Sequence, residues 1–286
     1  MKSDTHEINP YRSIEAALLW AKTQGLEPLE AELLLLHVTK HTKERSRTWL
    51  RTHLSDQLSA SELIQYRDLC IRRIDQQPLA YLTGTREFYG LKLHVDNRVL
   101  DPRPDTETLV DWALDAMHHI PLPVVADLGT GSGAIALAIK HNHPTAQVFA
   151  IDKCVDALAV AKRNALQLQL TISFLQGSWL EPLTPYRCHL IVSNPPYIAE
   201  NDPHLPALRH EPLKALTSGK DGLDDIRALI LQAPDFLIES GQLLLEHGFD
   251  QSDTVQQLMQ QRGFIEVVSR TDIHGHVRCT GGTWLG

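Results

Sequence analysis

The chain has 286 residues, 43% of them hydrophobic and 22% charged, with a formal net charge of −8. That length exceeds the usual single-domain size. No apolar run reaches the roughly 18 residues of a membrane helix, and Met1-Lys2-Ser3-Asp4-Thr5-His6-Glu7 shows no signal-peptide pattern, so a cytoplasmic protein with no membrane partner is expected.

Residues 1–85 read as a helical bundle. Ser13 can cap a helix from Ile14 to Lys22 whose Ile14, Ala17, Leu18 and Ala21 share one face, with Gly25 as its stop. Pro28 opens a second helix through Ala31, Leu34, Leu35 and Val38. Ser59 or Ser61 starts a third, carrying Leu63, Ile64, Tyr66, Leu69, Cys70, Ile71 and Ile74, which Pro78 closes. The basic cluster Lys40, Lys43, Arg45, Arg47 and Arg51 reads either as a solvated face or as a guide for an acidic protein partner. Residues 86–104 form a linker. From Gly84 to Leu100 the chain alternates through Phe88, Leu91, Leu93 and Val95, the pattern of a β-hairpin.

Residues 105–286 read as a second domain. A helix from Thr106 leads into alternating strands and helices, the pattern of a mainly parallel sheet covered on both faces. Val124 to Leu128 is a short apolar strand. Gly129-Thr130-Gly131-Ser132-Gly133 follows, then an apolar helix from Ala134 to Ile139. Glycines permit positive φ and close backbone approach, so a ligand can lie against this loop beside a helix N-terminus. Asp152 ends the next strand, Val148 to Ile151. It can accept both hydroxyl protons of a ribose, cap the helix from Cys154 to Leu168, or do both.

Gly129, Gly131 and Ala134 satisfy the loose dinucleotide pattern G-x-G-x-x-G/A. Against that reading, Asp127 at the strand end would repel a pyrophosphate, and Gly133 widens the loop. A ligand with a cation near Asp127 fits better, such as the amino-acid end of S-adenosylmethionine. Downstream, the run Leu190-Ile191-Val192-Ser193 ends in Asn194-Pro195-Pro196-Tyr197. Two prolines stiffen this loop and remove two N–H donors. The Asn194 side-chain oxygen and the Pro195 carbonyl can each accept one N–H of a planar amide or amino group, and Tyr197 can cover its plane. Ile265 to Val268 and Val277 to Trp284 supply two final strands.

Elsewhere the signals are weak. Cys70, Cys154, Cys188 and Cys279 lie far apart with no pairing motif, which suits reduced thiols. His141-x-His143 and His274-x-His276 are too short for a metal site and lack partners, so no metal is expected. The first 85 residues carry equal numbers of acidic and basic side chains, so the net negative charge lies wholly beyond them. That balance argues against direct nucleic-acid contact.

With both loops, the chain resembles the S-adenosylmethionine-dependent methyltransferases that modify glutamine in peptide chain release factors. The likeness runs through Pro78 to Gly84, Arg86 to Gly90, Pro102 to Glu107, Glu211-Pro212, Ala215-Leu216, Asp221 to Leu223, Glu246, Gly248, Gln251, Asp272, Gly275 and Arg278. It implies an α/β, Rossmann-like seven-stranded methyltransferase domain, mostly parallel with an antiparallel edge, preceded by a small helical bundle that docks the release factor. It also implies cofactor contacts from Gly129 to Gly133, Asp152, Trp179 and Asn194, and a substrate glutamine held by Asn194, Pro195, Pro196 and Tyr197. Trp179 can equally be core.

Three departures stand out: Ser178 where such enzymes often carry an aspartate for adenine, Asp101 in place of an apolar residue, and His247 in place of an aliphatic one. Two other functions are considered: amino-group methylation of adenine or cytosine, whose enzymes use a similar loop, and a non-catalytic cofactor sensor. The acidic second part and the absence of an inserted base-recognition segment count against the first. The intact Asn194 to Tyr197 loop counts against the second.

Overall fold

The computed structural model describes residues 12–39 and 46–286. Its contacts separate into two units, Met1–Gly84 and Thr85–Gly286.

In the first unit, helix α1 (Ile14–Thr23) begins where Ser13 accepts a hydrogen bond from the Ala16 N–H, and Gly25 leaves it with φ +88°. Pro28 sits in the first turn of α2 (Pro28–Val38), where its missing N–H is not needed. A short α3 (Arg47–Thr52), capped by Ser46, then precedes α4 (Ala60–Ile74), which opens on a complete capping box between Ser59 and Glu62. Pro78 does not end the helical region. It leads into α5 (Leu79–Thr83), which stops at the left-handed Gly84.

Among the described residues the expected three helices are therefore five α-helices, and α4 buries less than its apolar content suggests. Tyr66, Leu69 and Cys70 face the core with Leu34, Leu35 and Leu50, while Ile64 and Ile71 lie on the outer side, 71% and 59% exposed. Of the basic cluster, Lys40, Lys43 and Arg45 lie outside the described residues. Arg47 pairs with Glu32 at 2.5 Å.

The second unit opens with the hairpin β1 (Thr85–Phe88) and β2 (Leu91–His94), in register Phe88 to Leu91. Tyr89 and Gly90 both take positive φ, the turn whose twist matches two paired strands. Helix α6 (Glu107–Met117) follows. The chain then alternates through β3 (Val124–Leu128), α7 (Ala134–Asn142), β4 (Gln147–Asp152), α8 (Val155–Leu168), β5 (Ser173–Gln176), β6 (Cys188–Ser193), α9 (Asp224–Gln232) and β7 (Leu237–Glu246). Helix α10 (Ser252–Arg262), β8 (Ile265–Thr271) and β9 (Val277–Trp284) complete it. The seven strands lie in the order β5-β4-β3-β6-β7-β9-β8; β9 pairs antiparallel with both β7 and β8, and every other neighbouring pair is parallel.

Alternation along the central strands explains why both faces are covered. Val125, Val148, Ala150, Leu190, Val192 and Leu244 pack with α6 and α7 on one face. Their neighbours Ala126, Leu128, Phe149, Ile151, Ile191 and Leu243 pack with α9 and α10 on the other. Strands buried on both sides read as continuous apolar runs, as these do. Among the described residues no helix is long and apolar enough to cross a membrane.

Candidate active site

The two loops singled out in the sequence leave the sheet side by side. From β3 the chain steps outward to β4 and β5, then returns to place β6 on the other flank of β3. Such a reversal opens a crevice at the carboxyl ends of the strands, where α/β folds bind ligands. Leu128 of β3 pairs with Ser193 of β6, so Gly129 and Asn194 each follow directly from a paired residue. The Ser193 hydroxyl donates to the Leu128 carbonyl at 2.7 Å, tying the two exits together.

Beneath the glycine loop lies Asp127, wholly buried. Its Oδ2 accepts from the Thr130 hydroxyl at 2.6 Å and from the Ala136 N–H at 3.1 Å, while Oδ1 is buried without a partner. Burial pushes its carboxyl up to about 7, held back by those two donors. Thr130 thus turns its side chain inward, and Ser132 is also buried. What the loop presents is backbone. Gly131 has φ +54°, and a Cβ built there would meet only the Gly129 carbonyl, at 3.9 Å. Gly133 has the opposite reason to be glycine: a Cβ would press Leu137 at 3.0 Å and Ala161 at 3.2 Å, so it lets α7 and α8 approach.

Asp152 stands beside the loop. It accepts from the Gly131 N–H at 3.0 Å and the Cys154 N–H at 2.8 Å, so it braces both the loop and the entry to α8. Trp179, half-buried with φ +47°, lies against Gly129, whose built Cβ would be 3.3 Å from the ring. It also packs on the core under β4, so wall and core are the same residue here. Ser178 beside it is exposed.

Asn194 is half-buried and its Nδ2 donates to the Thr106 hydroxyl at 3.1 Å. Among the described residues no partner engages its Oδ1. Asn194, Pro195 and Tyr197 line a cavity of about 390 Å³ together with Leu100, Arg103, Asp105, Glu246 and Arg278. Burial raises the Tyr197 hydroxyl well above its ordinary range. The loop is held from behind: Gln251 Nε2 donates to the Tyr197 carbonyl at 3.0 Å, and a Cβ on Gly222 would be within 2.9 Å of both that oxygen and Gln251.

Arg103 pairs with the buried Glu211 at 2.5 Å. Arg278 pairs with Asp105 and Asp272, each at 3.2 Å. Asp105, Asp272 and His274 bring potential ligand atoms within 4.8 Å of one another, but the Arg278 guanidinium already satisfies both carboxylates.

The expected residues therefore leave the ends of adjacent strands, with the glycine loop, Asp152 and Trp179 about β3 and β4 and the Asn194 loop after β6, and of these Asn194, Pro195 and Tyr197 line the cavity. Sequence reasoning gave no role to Thr106, Glu246, Gln251, Gly222, Arg103 or Arg278. Each stands inside a motif quoted for the family likeness, but only the fold shows that they meet Asn194 or its cavity. The departures also find partners. Asp101 is held between Arg86 at 3.5 Å and Arg103 at 3.9 Å. His247 Nε2 meets the Thr280 hydroxyl at 2.7 Å, which meets Ser269 at 2.7 Å, a buried polar chain where an aliphatic residue was expected.

Two family profiles match: the methyltransferase small domain over residues 113–272 and the PrmC N-terminal domain over residues 15–84. A release factor glutamine methyltransferase of Burkholderia pseudomallei is 45% identical over 274 residues, covering 93% of this chain and 95% of its own. One from Vibrio cholerae is 42% identical over 283 residues, covering 95% and 97%. Among solved structures, a methyltransferase from Pyrococcus furiosus superposes with a TM-score of 0.52 at 16% identity, over 69% of this chain and 90% of that one.

Proposed function

Because this chain belongs to the release factor glutamine methyltransferase family, we propose that its crevice carries a methyl group from S-adenosylmethionine to the side-chain nitrogen of a release factor glutamine. The target glutamine is that of the Gly-Gly-Gln motif. The observation that carries the site assignment is the pairing of Leu128 with Ser193, which sets the glycine loop beside an Asn194 whose amide nitrogen is already engaged from behind.

The residues present fit the cofactor. Asp127 Oδ1, sealed and without a donor, suits a cationic group, because an unpaired buried acceptor costs roughly 1–3 kcal/mol until a donor arrives. Gly131 leaves open space above the loop, and Asp152 keeps a free lone pair on each oxygen for ribose hydroxyls. Trp179 supplies a wall. When bound, S-adenosylmethionine supplies an electrophilic methyl on a sulfonium.

The rest is positioning. An amide nitrogen is a poor nucleophile because its lone pair is delocalised into the carbonyl. Asn194 Oδ1 and the Pro195 carbonyl each accept one N–H of the glutamine amide, turning the nitrogen toward the crevice and favouring positive charge there. Tyr197 packs its ring on the amide plane. No base is required, since the nitrogen becomes strongly acidic as its new bond forms and the proton leaves to water. The substrate is read as a protein rather than a nucleic acid, because the net charge is negative. A substrate used in translation places the reaction in the cytoplasm, without a membrane partner.

Replacing Asn194→Ala should leave cofactor affinity within a few-fold while turnover falls at least about a thousandfold, equivalent to about 4 kcal/mol of barrier. Calorimetric titration with S-adenosylmethionine and mass mapping of methylated release factor measure the two. Normal turnover in that variant would remove Asn194 from the chemistry.

A further inference from the structure

Thr106 and Glu246 have no part in the mechanism so far, yet both end at Asn194. Thr106 occupies the N-cap of α6, where a threonine ordinarily turns its hydroxyl back onto an N–H of the first turn. Here it makes no such bond. Its side chain is 4% exposed and accepts instead from Asn194 Nδ2 at 3.1 Å. Glu246 closes β7, 1% exposed, beside the Thr106 hydroxyl and the Asn194 amide, both of which favour its ionised form. The charged and titratable groups around it are Asp105 ahead of α6, Tyr197 on the substrate loop, and Arg278 and Cys279 on β9.

Donor and acceptor bookkeeping settles the direction of these bonds. The Thr106 hydroxyl has one proton, which goes to Glu246. Its lone pair then takes a proton from Asn194, whose amide nitrogen alone can supply one. Glu246 Oε2 has no partner, so a proton taken up by this carboxyl resides there and the bonded oxygen stays an acceptor. In either state the Asn194 nitrogen faces two acceptors, and its oxygen is left for the cavity.

We infer that Thr106 and Glu246 are positioning residues that lock the Asn194 amide with its oxygen toward the substrate, so the site selects a primary carboxamide offering N–H donors. Without the lock the amide can turn over, and its own N–H bonds then face those of the substrate. This rests on the assignment of Asn194 as the acceptor for the substrate amide.

The test uses the full chain with a purified bacterial release factor as substrate. Thr106→Val keeps the shape and removes the hydroxyl. It should lower kcat about thirtyfold or more, with S-adenosylmethionine affinity within about threefold. Thr106→Ser should restore turnover to within about threefold of the natural chain, because the hydroxyl returns. A serine variant as slow as the valine variant would make the effect one of packing and overturn the lock. A valine variant with natural kcat would overturn it too.

Asn194→Ala separates the two ideas. If it is inactive while Thr106→Val is active, only the lock fails; if it is active, the acceptor assignment fails. Should Thr106→Val melt below the assay temperature, Glu246→Leu decides, because it removes both carboxylate oxygens whereas a glutamine would still offer one as an acceptor. A loss of about tenfold or more in kcat at constant KM supports the lock, and natural kcat refutes it.

Discussion

At Asp127, position and chemistry were legible to different degrees. Its place at the end of an apolar run marks the crevice, but the sequence suggests a carboxylate facing the ligand openly. The structure roofs it with Thr130 and leaves only Oδ1 unpaired. The sign of its titration follows. Burial raises the carboxyl to about 7, so the folded chain favours the protonated form. The contribution to stability is fullest below the ordinary carboxylate range near 4 and is lost as pH rises toward 7. A cationic ligand group favours the ionised form instead. S-adenosylmethionine affinity should therefore be flat above about pH 7 and weaken by up to about tenfold per unit below it, with protons released on binding. Calorimetry across that range in buffers of different ionisation enthalpy measures both, and a level profile between pH 5.5 and 8 would contradict the role given to Asp127.

Single elements were readable where local chemistry decides them. Ser13, Pro28 and the Ser59–Glu62 box start helices by satisfying or sparing N–H groups within a few residues. Tyr89-Gly90 turns the hairpin for an equally local reason. The short α3 escapes because six residues span fewer than two turns, too few to repeat an apolar face, and α4 carries apolar residues around more than its buried face.

Asn164 shows what local reading cannot reach. On α8, 1% exposed, it accepts from the His94 N–H at 2.7 Å and donates to the carbonyls of His94 and Ser132 at 3.0 and 2.9 Å. One side chain thereby joins β2, α8 and the glycine loop. Asn164→Ala removes these three bonds and should destabilise the fold by about 3 kcal/mol, since a hydrogen bond contributes roughly 0.5–1.5 kcal/mol. Urea unfolding should show a lower midpoint at constant slope, together with weaker cofactor binding. An unchanged midpoint would mean that water replaces all three bonds.

Over the whole molecule, the helical unit ending at Gly84 contains none of the residues assigned to the chemistry. We propose that it docks the release factor, so deleting residues 1–84 should reduce activity on intact release factor at least about tenfold more than on a short Gly-Gly-Gln peptide. Comparing kcat/KM for the two substrates measures this, and equal losses would remove the docking role. The sequence by itself determined the kind of sheet, the glycine loop and the Asn-Pro-Pro-Tyr loop, because apolar runs, glycine φ and proline stiffness act within a few residues of where they are written. Only the tertiary structure decided that Thr106 and Glu246, more than a hundred residues apart, meet at one amide. Such a meeting depends on the order in which strands assemble, and neither residue carries a local sign of it.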